Sequence, residues 1–133
     1  MNMPFDDALL DSLVAAARDA GQRAHAPYSR FPVGAVLVTT SGDRFIGCNI
    51  ENISFGGTIC AERVAAGSAI ADGQRQWRVM AVASRGGVTP CGICRQFLAE
   101  FCPELPIVLF DTVTQTRRLV ALDKLYPERF ERS

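Results

Sequence analysis

Three cysteines and a glutamate are the residues whose types and spacing could do chemistry. Cys91 and Cys94 form a C-x-x-C pair directly after Pro90. Taken alone, such a pair is compatible with a redox dithiol, with half of a zinc site or with coincidence. Cys60 supplies a third thiol. Three protein ligands would leave one tetrahedral position of a zinc ion open for water, which is the arrangement typical of catalytic zinc.

Glu62 follows Cys60 by two positions, which puts a carboxylate beside the candidate metal site. Cys60 and Cys91 each open a predicted helix, where the positive end of the helix dipole lowers the pKa of a thiol, as a zinc ligand requires. Because zinc-bound water ionises near neutral pH, Glu62 could take its proton and pass it to a substrate nitrogen. A solvated helix glutamate is the alternative interpretation, but the position next to a ligand favours the catalytic one.

The elements that must position these residues alternate between helices and strands. Apolar residues at helical spacing predict a first helix over residues 5–26, ended by Pro27. A valine-rich run predicts a strand at 32–40, which a Ser-Gly-Asp turn joins to a strand at 44–49 as an antiparallel hairpin. The remaining predicted elements are a helix at 60–71, a strand at 77–84, a helix at 90–101 and strands at 107–110 and 119–122. This order predicts an α/β fold with a mixed sheet covered by helices.

Length, charge and cysteine count exclude several classes of protein. The length of 133 residues predicts a single domain over residues 1–133, with enough chain to bury a core without disulfides. With 14 basic and 14 acidic residues the formal net charge is zero, which disfavours binding to nucleic-acid polymers. Five cysteines without a secretory signal disfavour a disulfide framework, and no apolar run is long enough to span a membrane. We therefore expect a cytoplasmic protein.

The motifs around the cysteines carry a resemblance to a known family. The zinc-dependent cytidine deaminase superfamily has the signature H-x-E…P-C-x-x-C, and in one variant a cysteine takes the place of the histidine. The motifs of this chain match that three-cysteine variant. Four segments follow the order of that family, and the likeness spans roughly residues 10–130. The segments are Phe31–Ala35, Gly47–Asn52, Cys60–Arg63 and Pro90–Gln96.

The resemblance implies a small deaminase of free nucleosides that works as a homotetramer. Its fold would have three layers, with a mixed five-stranded sheet flanked by helices. Its reaction would be the hydrolytic deamination of cytidine and deoxycytidine to uridine and deoxyuridine with release of ammonia, a step of pyrimidine salvage. One Zn²⁺ per subunit would be held by Cys60, Cys91 and Cys94, and Glu62 would act as the proton shuttle between zinc-bound hydroxide and the substrate.

The resemblance also implies substrate contacts, each of which has a simpler alternative. Asn49 and Glu51 would hydrogen-bond the ribose hydroxyls, or they could only solvate a turn. Phe31 and the backbone at Ala61 would fix the pyrimidine, whereas a phenylalanine before a strand is often a core residue. Arg63 would offset the charge of −1 left by Zn²⁺ and three thiolates, although an arginine on a helix usually lies on the surface.

Two segments depart from the family pattern. Where the family often has Ser-Tyr-Gly-Leu, this chain has Ser54–Gly57 with Phe55 in place of the tyrosine. In tetrameric members this loop reaches the active site of a neighbour, so Phe55 is a candidate for such a contact. Near the C-terminus, where the family tends to Leu-Leu-Pro and a later phenylalanine, this chain has Leu125–Pro127 ahead of Phe130. Phe130 could close over the base of a neighbour or only anchor the tail. Cys48 and Cys102 lie outside any motif and are expected to be packing residues.

Several other functions are compatible with the same residues. The chain could deaminate a related aminated heterocycle or a cytosine-nucleoside analogue, but Asn49 and Glu51 match the ribose-binding pattern. A non-catalytic zinc subunit is disfavoured by Glu62 and by the count of three ligands. A dithiol redox protein remains a further alternative. Editing of polynucleotides is disfavoured by the zero net charge and the short chain.

Overall fold

A five-stranded sheet forms the centre of the computed structural model, which describes residues 5–132. Along the chain the elements are α1 (Asp7–Gly21), β1 (Gly34–Thr39), β2 (Arg44–Cys48), a 3₁₀ turn (Phe55–Gly57), α2 (Ala61–Ala71), β3 (Trp77–Ser84), α3 (Gly92–Phe101), β4 (Pro106–Asp111), β5 (Thr116–Ala121) and α4 (Leu122–Leu125). The strand order is β2-β1-β3-β4-β5. Only β3 and β4 are parallel neighbours, and the other pairs are antiparallel. The prediction of a mixed α/β sheet with an antiparallel first hairpin is therefore confirmed.

Helices cover both faces of this sheet. All six residues of β1 are buried, and because side chains alternate along a strand, they supply two cores. On one face, Val36 and Val38 pack with Leu13 and Ala17 of α1. On the other face, the core contains Leu37 of β1 together with residues of α2 and α3. The three-layer arrangement that the resemblance implied is thus present.

The sheet brings the starts of α2 and α3 to one edge. Strands β2 and β3 are each antiparallel to β1, which lies between them, so β2 and β3 run in the same direction. Helix α2 follows β2 and helix α3 follows β3. Both helices therefore begin at the edge where these two strands end. The two cysteine motifs, which lie at these helix starts, meet for this reason.

Two glycines allow the helices to approach the sheet closely. A Cβ on Gly47 of β2 would lie 2.3 Å from the carbonyl oxygen of Ala61, at the start of α2. A Cβ on Gly34 of β1 would lie 1.8 Å from the carbonyl oxygen of Ala17 and 2.4 Å from the amide nitrogen of Gly21, both in α1. Only glycine fits these contacts, since no larger residue leaves room for the backbone of the helix.

Helix α1 is shorter than predicted, because the chain after Gly21 pairs with the segment beyond β2. The predicted helix reached residue 26, but the amide of His25 donates to the carbonyl of Asn49 at 3.0 Å. The amide of Glu51 in turn donates to the carbonyl of His25 at 2.8 Å. Apolar periodicity carries no signal of this pairing, which anchors the loop that follows against the candidate site.

Strand β5 begins three residues earlier than predicted, at Thr116. A turn precedes it, in which Gln115 has a φ of 61° and donates its amide to the carbonyl of Asp111 at 2.9 Å. This tight turn places Thr116 opposite Asp111, so pairing with β4 starts at once.

The substitution Gly34→Ala is expected to lower the free energy of unfolding by at least about 2 kcal/mol, because the added methyl group overlaps the backbone of α1. Urea unfolding at fixed protein concentration measures the loss. Gly67→Ala is the matched control. Nothing lies within 4 Å of a Cβ at this helical position, so the substitution should raise stability by about 0.5–1 kcal/mol. Equal stability of the two variants would contradict the close approach of α1 to β1.

Candidate metal centre and substrate cleft

The sulfur atoms of Cys60, Cys91 and Cys94 converge at the starts of two helices. Cys60 caps the N-terminus of α2, Cys91 caps that of α3, and Cys94 lies in the first turn of α3. The three Sγ atoms lie within 4.8 Å of one another, and those of Cys60 and Cys91 are 3.6 Å apart. Zinc–sulfur bonds of about 2.3 Å in a tetrahedron separate neighbouring sulfurs by about 3.8 Å. The cluster therefore has dimensions that fit one zinc ion with three protein ligands.

The pKa values of two thiols in this cluster shift in opposite directions. The Cys94 thiol and the Arg63 guanidinium donate hydrogen bonds to the Cys60 sulfur and lower the pKa of Cys60 to about 5, although burial opposes the shift. The same hydrogen bond to Cys60 raises the pKa of Cys94, and burial adds to that shift. These contacts favour the thiolate form of Cys60, and a metal that bound there would displace the remaining protons.

Arg63 places a positive charge against the sulfurs. Its Nη2 lies 3.6 Å from Cys60 Sγ, and its Nε is buried with no hydrogen-bond partner among residues 5–132. A half-buried guanidinium with an unsatisfied N–H is costly unless negative charge lies nearby. Zn²⁺ with three thiolates carries that charge, so the position of Arg63 fits a zinc site of this composition.

Glu62 is a buried carboxyl group, with 5% of its surface exposed. Burial raises the pKa of Glu62 to about 7, and the negative charge of Cys60 adds to the shift while Arg63 opposes it. A carboxyl group with such a pKa can both accept and release a proton near neutral pH. The alternative of a solvated helix glutamate does not agree with this burial.

A cleft of about 440 Å³ opens over the sulfur cluster, a size that suits a small-molecule ligand. Seven residues singled out from the sequence line it, namely Phe31, Asn49, Glu51, Cys60, Ala61, Glu62 and Cys91. Five others that the sequence did not single out complete the lining, namely Ser29, Val33, Thr58, Val88 and Thr89. Val33 lies inside the Phe31–Ala35 segment and the other four lie within two residues of a motif, and this proximity is the only sequence signal that could have found them.

Asn49 braces the loop that carries Phe31. Its Oδ1 accepts a hydrogen bond from the amide of Val33 at 2.9 Å, and its Nδ2 donates to the carbonyl of Phe31 at 2.9 Å. Asn49 is buried, yet it lines the cleft. An asparagine amide has a second hydrogen and a second lone pair. Binding to a ligand therefore does not have to break the brace.

Glu51 holds the start of the same loop. Its Oε1 accepts hydrogen bonds from the amides of Tyr28 at 3.0 Å and Ser29 at 3.1 Å, and its Oε2 accepts one from the Ser29 hydroxyl. The bond from the Ser29 side chain contributes most to lowering the pKa of Glu51. The carboxylate therefore remains ionised and faces the cleft as a hydrogen-bond acceptor.

The ring of Phe31 lies against an arginine from a distant segment. The guanidinium carbon of Arg85 lies 4.9 Å from the centre of the ring, within the range of a cation–π contact. Nη2 of Arg85 also donates to the carbonyl of Arg30 at 2.9 Å. Arg30 has a φ of 55°, an uncommon value for an arginine, and this hydrogen bond helps to hold it there. Phe31 is thus a partly exposed wall of the cleft rather than a core residue.

The two aromatic residues expected to act on a neighbouring site lie outside the cleft of their own chain. Phe55 and Phe130 are each 72% exposed. The ring of Phe55 meets that of Tyr28 edge-on at 5.6 Å. Cys48 and Cys102 are half-buried away from the sulfur cluster, and Cys102 packs against the core under α2 and α3. The structure thus gives Cys102 the expected packing role.

Comparison with known proteins relates the chain to one family. The family model described as the cytidine and deoxycytidylate deaminase zinc-binding region matches residues 8–109. A cytidine deaminase from Sporosarcina psychrophila is 45% identical over 103 residues, which cover 75% of this chain and 76% of the relative. One from Halalkalibacterium halodurans is 39% identical over 120 residues, which cover 89% and 91%. A crystal structure of cytidine deaminase from Burkholderia pseudomallei matches with a TM-score of 0.86 and 42% identity, over 90% of this chain and 98% of that one.

The substitution Cys91→Ala is expected to abolish stable zinc binding, because two sulfurs cannot replace a three-ligand set. Atomic emission of the purified protein measures the zinc content per chain. Cys102→Ala removes a thiol of similar burial to Cys60 from outside the cluster, and this control should keep about one zinc per chain. A normal zinc content in Cys91→Ala would contradict the ligand set.

Proposed function

The chain belongs to the zinc-binding cytidine and deoxycytidylate deaminase family, and from this we propose that it hydrolyses cytidine and deoxycytidine to uridine and deoxyuridine with release of ammonia. The observation that carries the proposal is the meeting of three thiols and one buried carboxyl group beside a cleft, whose lining includes Cys60, Cys91 and Glu62. This combination provides a metal site, a proton carrier and room for a small ligand at one place.

Glu62 is the proton carrier of the proposed reaction. Zinc, when bound to the three cysteines, acts as a Lewis acid that lowers the pKa of water toward neutrality. The Glu62 carboxylate takes a proton from the attacking water and delivers it to N3 of the cytosine ring. The water oxygen bonds to C4, and Glu62 takes the remaining proton from this oxygen and gives it to the amino group on C4. The C4–N bond then breaks, ammonia leaves, and the added oxygen becomes the new carbonyl. The raised pKa of Glu62 supports this exchange, because neither protonation state is strongly favoured at neutral pH.

Arg63 and the helix starts support the same chemistry from outside the cleft. The guanidinium beside Cys60 withdraws charge from the sulfur, so the cluster donates less electron density to the metal. A less strongly donating ligand set keeps the metal a better Lewis acid. The N-termini of α2 and α3 add partial positive charge in the same direction.

The cleft suits an uncharged nucleoside. The ring of Phe31 can pack against the pyrimidine, and the backbone at Ala61 can hydrogen-bond its edge. The free amide hydrogen of Asn49 and the ionised carboxylate of Glu51 can bind ribose hydroxyls. Such a substrate is held by hydrogen bonds and ring contact and does not require a basic surface, in agreement with the net charge of zero.

We also propose a homotetramer of single-domain subunits that works in the cytoplasm. One continuous sheet supports a single domain. The exposure of Phe55 and Phe130 leaves both rings accessible to a neighbouring subunit, as shared sites would require. In the part of the chain that the structure describes, no helix has the length and apolar character needed to cross a bilayer.

Ultraviolet absorbance tests the proposed activity directly. The purified protein should lower the ultraviolet absorbance of cytidine and of deoxycytidine as it converts them, and a zinc chelator should abolish this conversion. Cytosine and guanine should give no signal, because they lack the sugar that Asn49 and Glu51 bind. If neither cytidine nor deoxycytidine is converted, the proposed function is wrong.

The substitution Glu62→Gln is expected to lower kcat by about 10²–10⁴-fold, because an amide cannot transfer the proton. Zinc content and the unfolding midpoint should change little. Glu100→Gln alters an exposed glutamate on α3 and should keep full activity. If Glu62→Gln turns over cytidine nearly as fast as the unaltered protein, Glu62 is not the proton carrier.

Light scattering of the purified protein should give a mass near four times that of the 14.4 kDa chain. Because the ring of Phe130 is proposed to complete a neighbouring site, Phe130→Ala should reduce kcat/KM. A monomeric mass together with full activity would contradict shared sites.

A further inference from the structure

Arg95, on the first turns of α3, ties the wall of the cleft to the C-terminal segment. Its Nε donates to the carbonyl of Pro90 at 2.8 Å, its Nη2 to the hydroxyl of Thr89 at 2.9 Å and its Nη1 to the carbonyl of Leu125 at 3.1 Å. We propose that Arg95 is a positioning residue for deamination, which holds the segment from Thr89 to Cys91 in its active geometry. This inference rests on the proposed function.

The electrostatic setting of Arg95 does not explain its place in the helix. A cation in the first turns of a helix faces the positive end of the dipole, which is unfavourable. Among the ion pairs between residues 5 and 132, none includes Arg95. All three of its acceptors are neutral, and two of them are backbone carbonyls. What Arg95 contributes is therefore a fork of directed donors, a geometry that lysine does not reproduce.

The segment that Arg95 holds forms one side of the cleft and carries a metal ligand. Thr89 and Cys91 both line the cleft, and Pro90 between them is buried. None of these three residues lies in a helix or strand. The amide of Arg95 also closes the first turn of α3 by donating to the carbonyl of Cys91 at 2.9 Å. The side chain, which tilts toward the helix N-terminus, reaches back over the same residues.

The second anchor of Arg95 lies at the end of α4. Leu125 is followed by a tail that the neighbouring Gln96 binds, with Oε1 accepting from the Tyr126 hydroxyl at 2.5 Å and Nε2 donating to the carbonyl of Phe130 at 3.0 Å. The amide of Phe130 donates to the Tyr126 hydroxyl at 3.0 Å. Arg95 thus connects the loop that carries Cys91 to Leu125, and the adjacent Gln96 holds the tail that follows.

The substitutions Arg95→Gln and Arg95→Lys separate directed hydrogen bonds from charge. Arg95→Gln should lower kcat/KM for cytidine by roughly 10- to 100-fold, the loss expected when reacting groups move by about 1 Å. It should also speed the transfer of zinc from the loaded protein to a coloured chelator by several-fold. Arg95→Lys keeps the charge but loses the fork, so its values should lie near those of Arg95→Gln. Arg118→Gln, at an exposed site on β5, is the matched control and should stay within about twofold of the unaltered protein in both measurements.

A double-mutant cycle with Thr89→Val tests whether Arg95 acts through the cleft wall. Thr89→Val removes the hydroxyl acceptor at nearly constant volume. It should lower kcat/KM in the unaltered background and have much less effect in the Arg95→Gln background, because the bond is already absent. A role confined to general stability would instead give equal effects in both backgrounds.

The outcomes separate this inference from the proposed function. Full activity and normal zinc release in Arg95→Lys would show that charge suffices and would overturn the inference, as would additive effects of Thr89→Val and Arg95→Gln. If Arg95→Gln fails to fold, Arg95→Lys and Thr89→Val decide the question alone. If the unaltered protein does not deaminate cytidine, the proposed function fails, while the zinc-release rates of the variants still test the link between Arg95 and the Cys91 loop.

Discussion

Three thiols held within 4.8 Å of one another form the constraint on which the rest of the structure depends. Thiolates at such distances repel one another unless positive charge balances them. Three sources of positive charge converge on them: the starts of α2 and α3, the Arg63 guanidinium and the zinc ion that the family binds. Half-burying the Arg63 guanidinium would cost free energy at a site without negative charge. Here the neighbouring thiolates offset that cost.

The topology of the sheet meets this constraint with short connections. Because β2 and β3 run in the same direction on either side of β1, the helices that follow them start at one edge. Gly47 lets the start of α2 lie directly on β2, so that the sulfur of Cys60 can approach that of Cys91. The positions of the three cysteines are therefore set by backbone packing in the core.

The sequence predicts those parts of the molecule whose signals are local. The order of elements, the mixed sheet and the set of three cysteines follow from periodicity, turn residues and the resemblance of short motifs. Contacts between distant segments have no such signal. The placement of Arg85 over Phe31, the brace that Asn49 provides and the bond from Arg95 to Leu125 each depend on the packed fold. The early end of α1 has the same origin, since the carbonyl of Asn49 competes for the amide of His25.

The brace around Phe31 has a consequence for the entropy of ligand binding. Loops that become ordered only when a ligand arrives lose about 1–2 kcal/mol of backbone freedom per residue at that moment. Here the segment from Tyr28 to Val33 is already held by Asn49 and Glu51. That ordering cost falls on folding, so a ligand meets a preformed wall and more of its contact energy remains for affinity. The cleft should therefore behave thermodynamically as a rigid receptor on this side, with a small loss of protein entropy when it is filled.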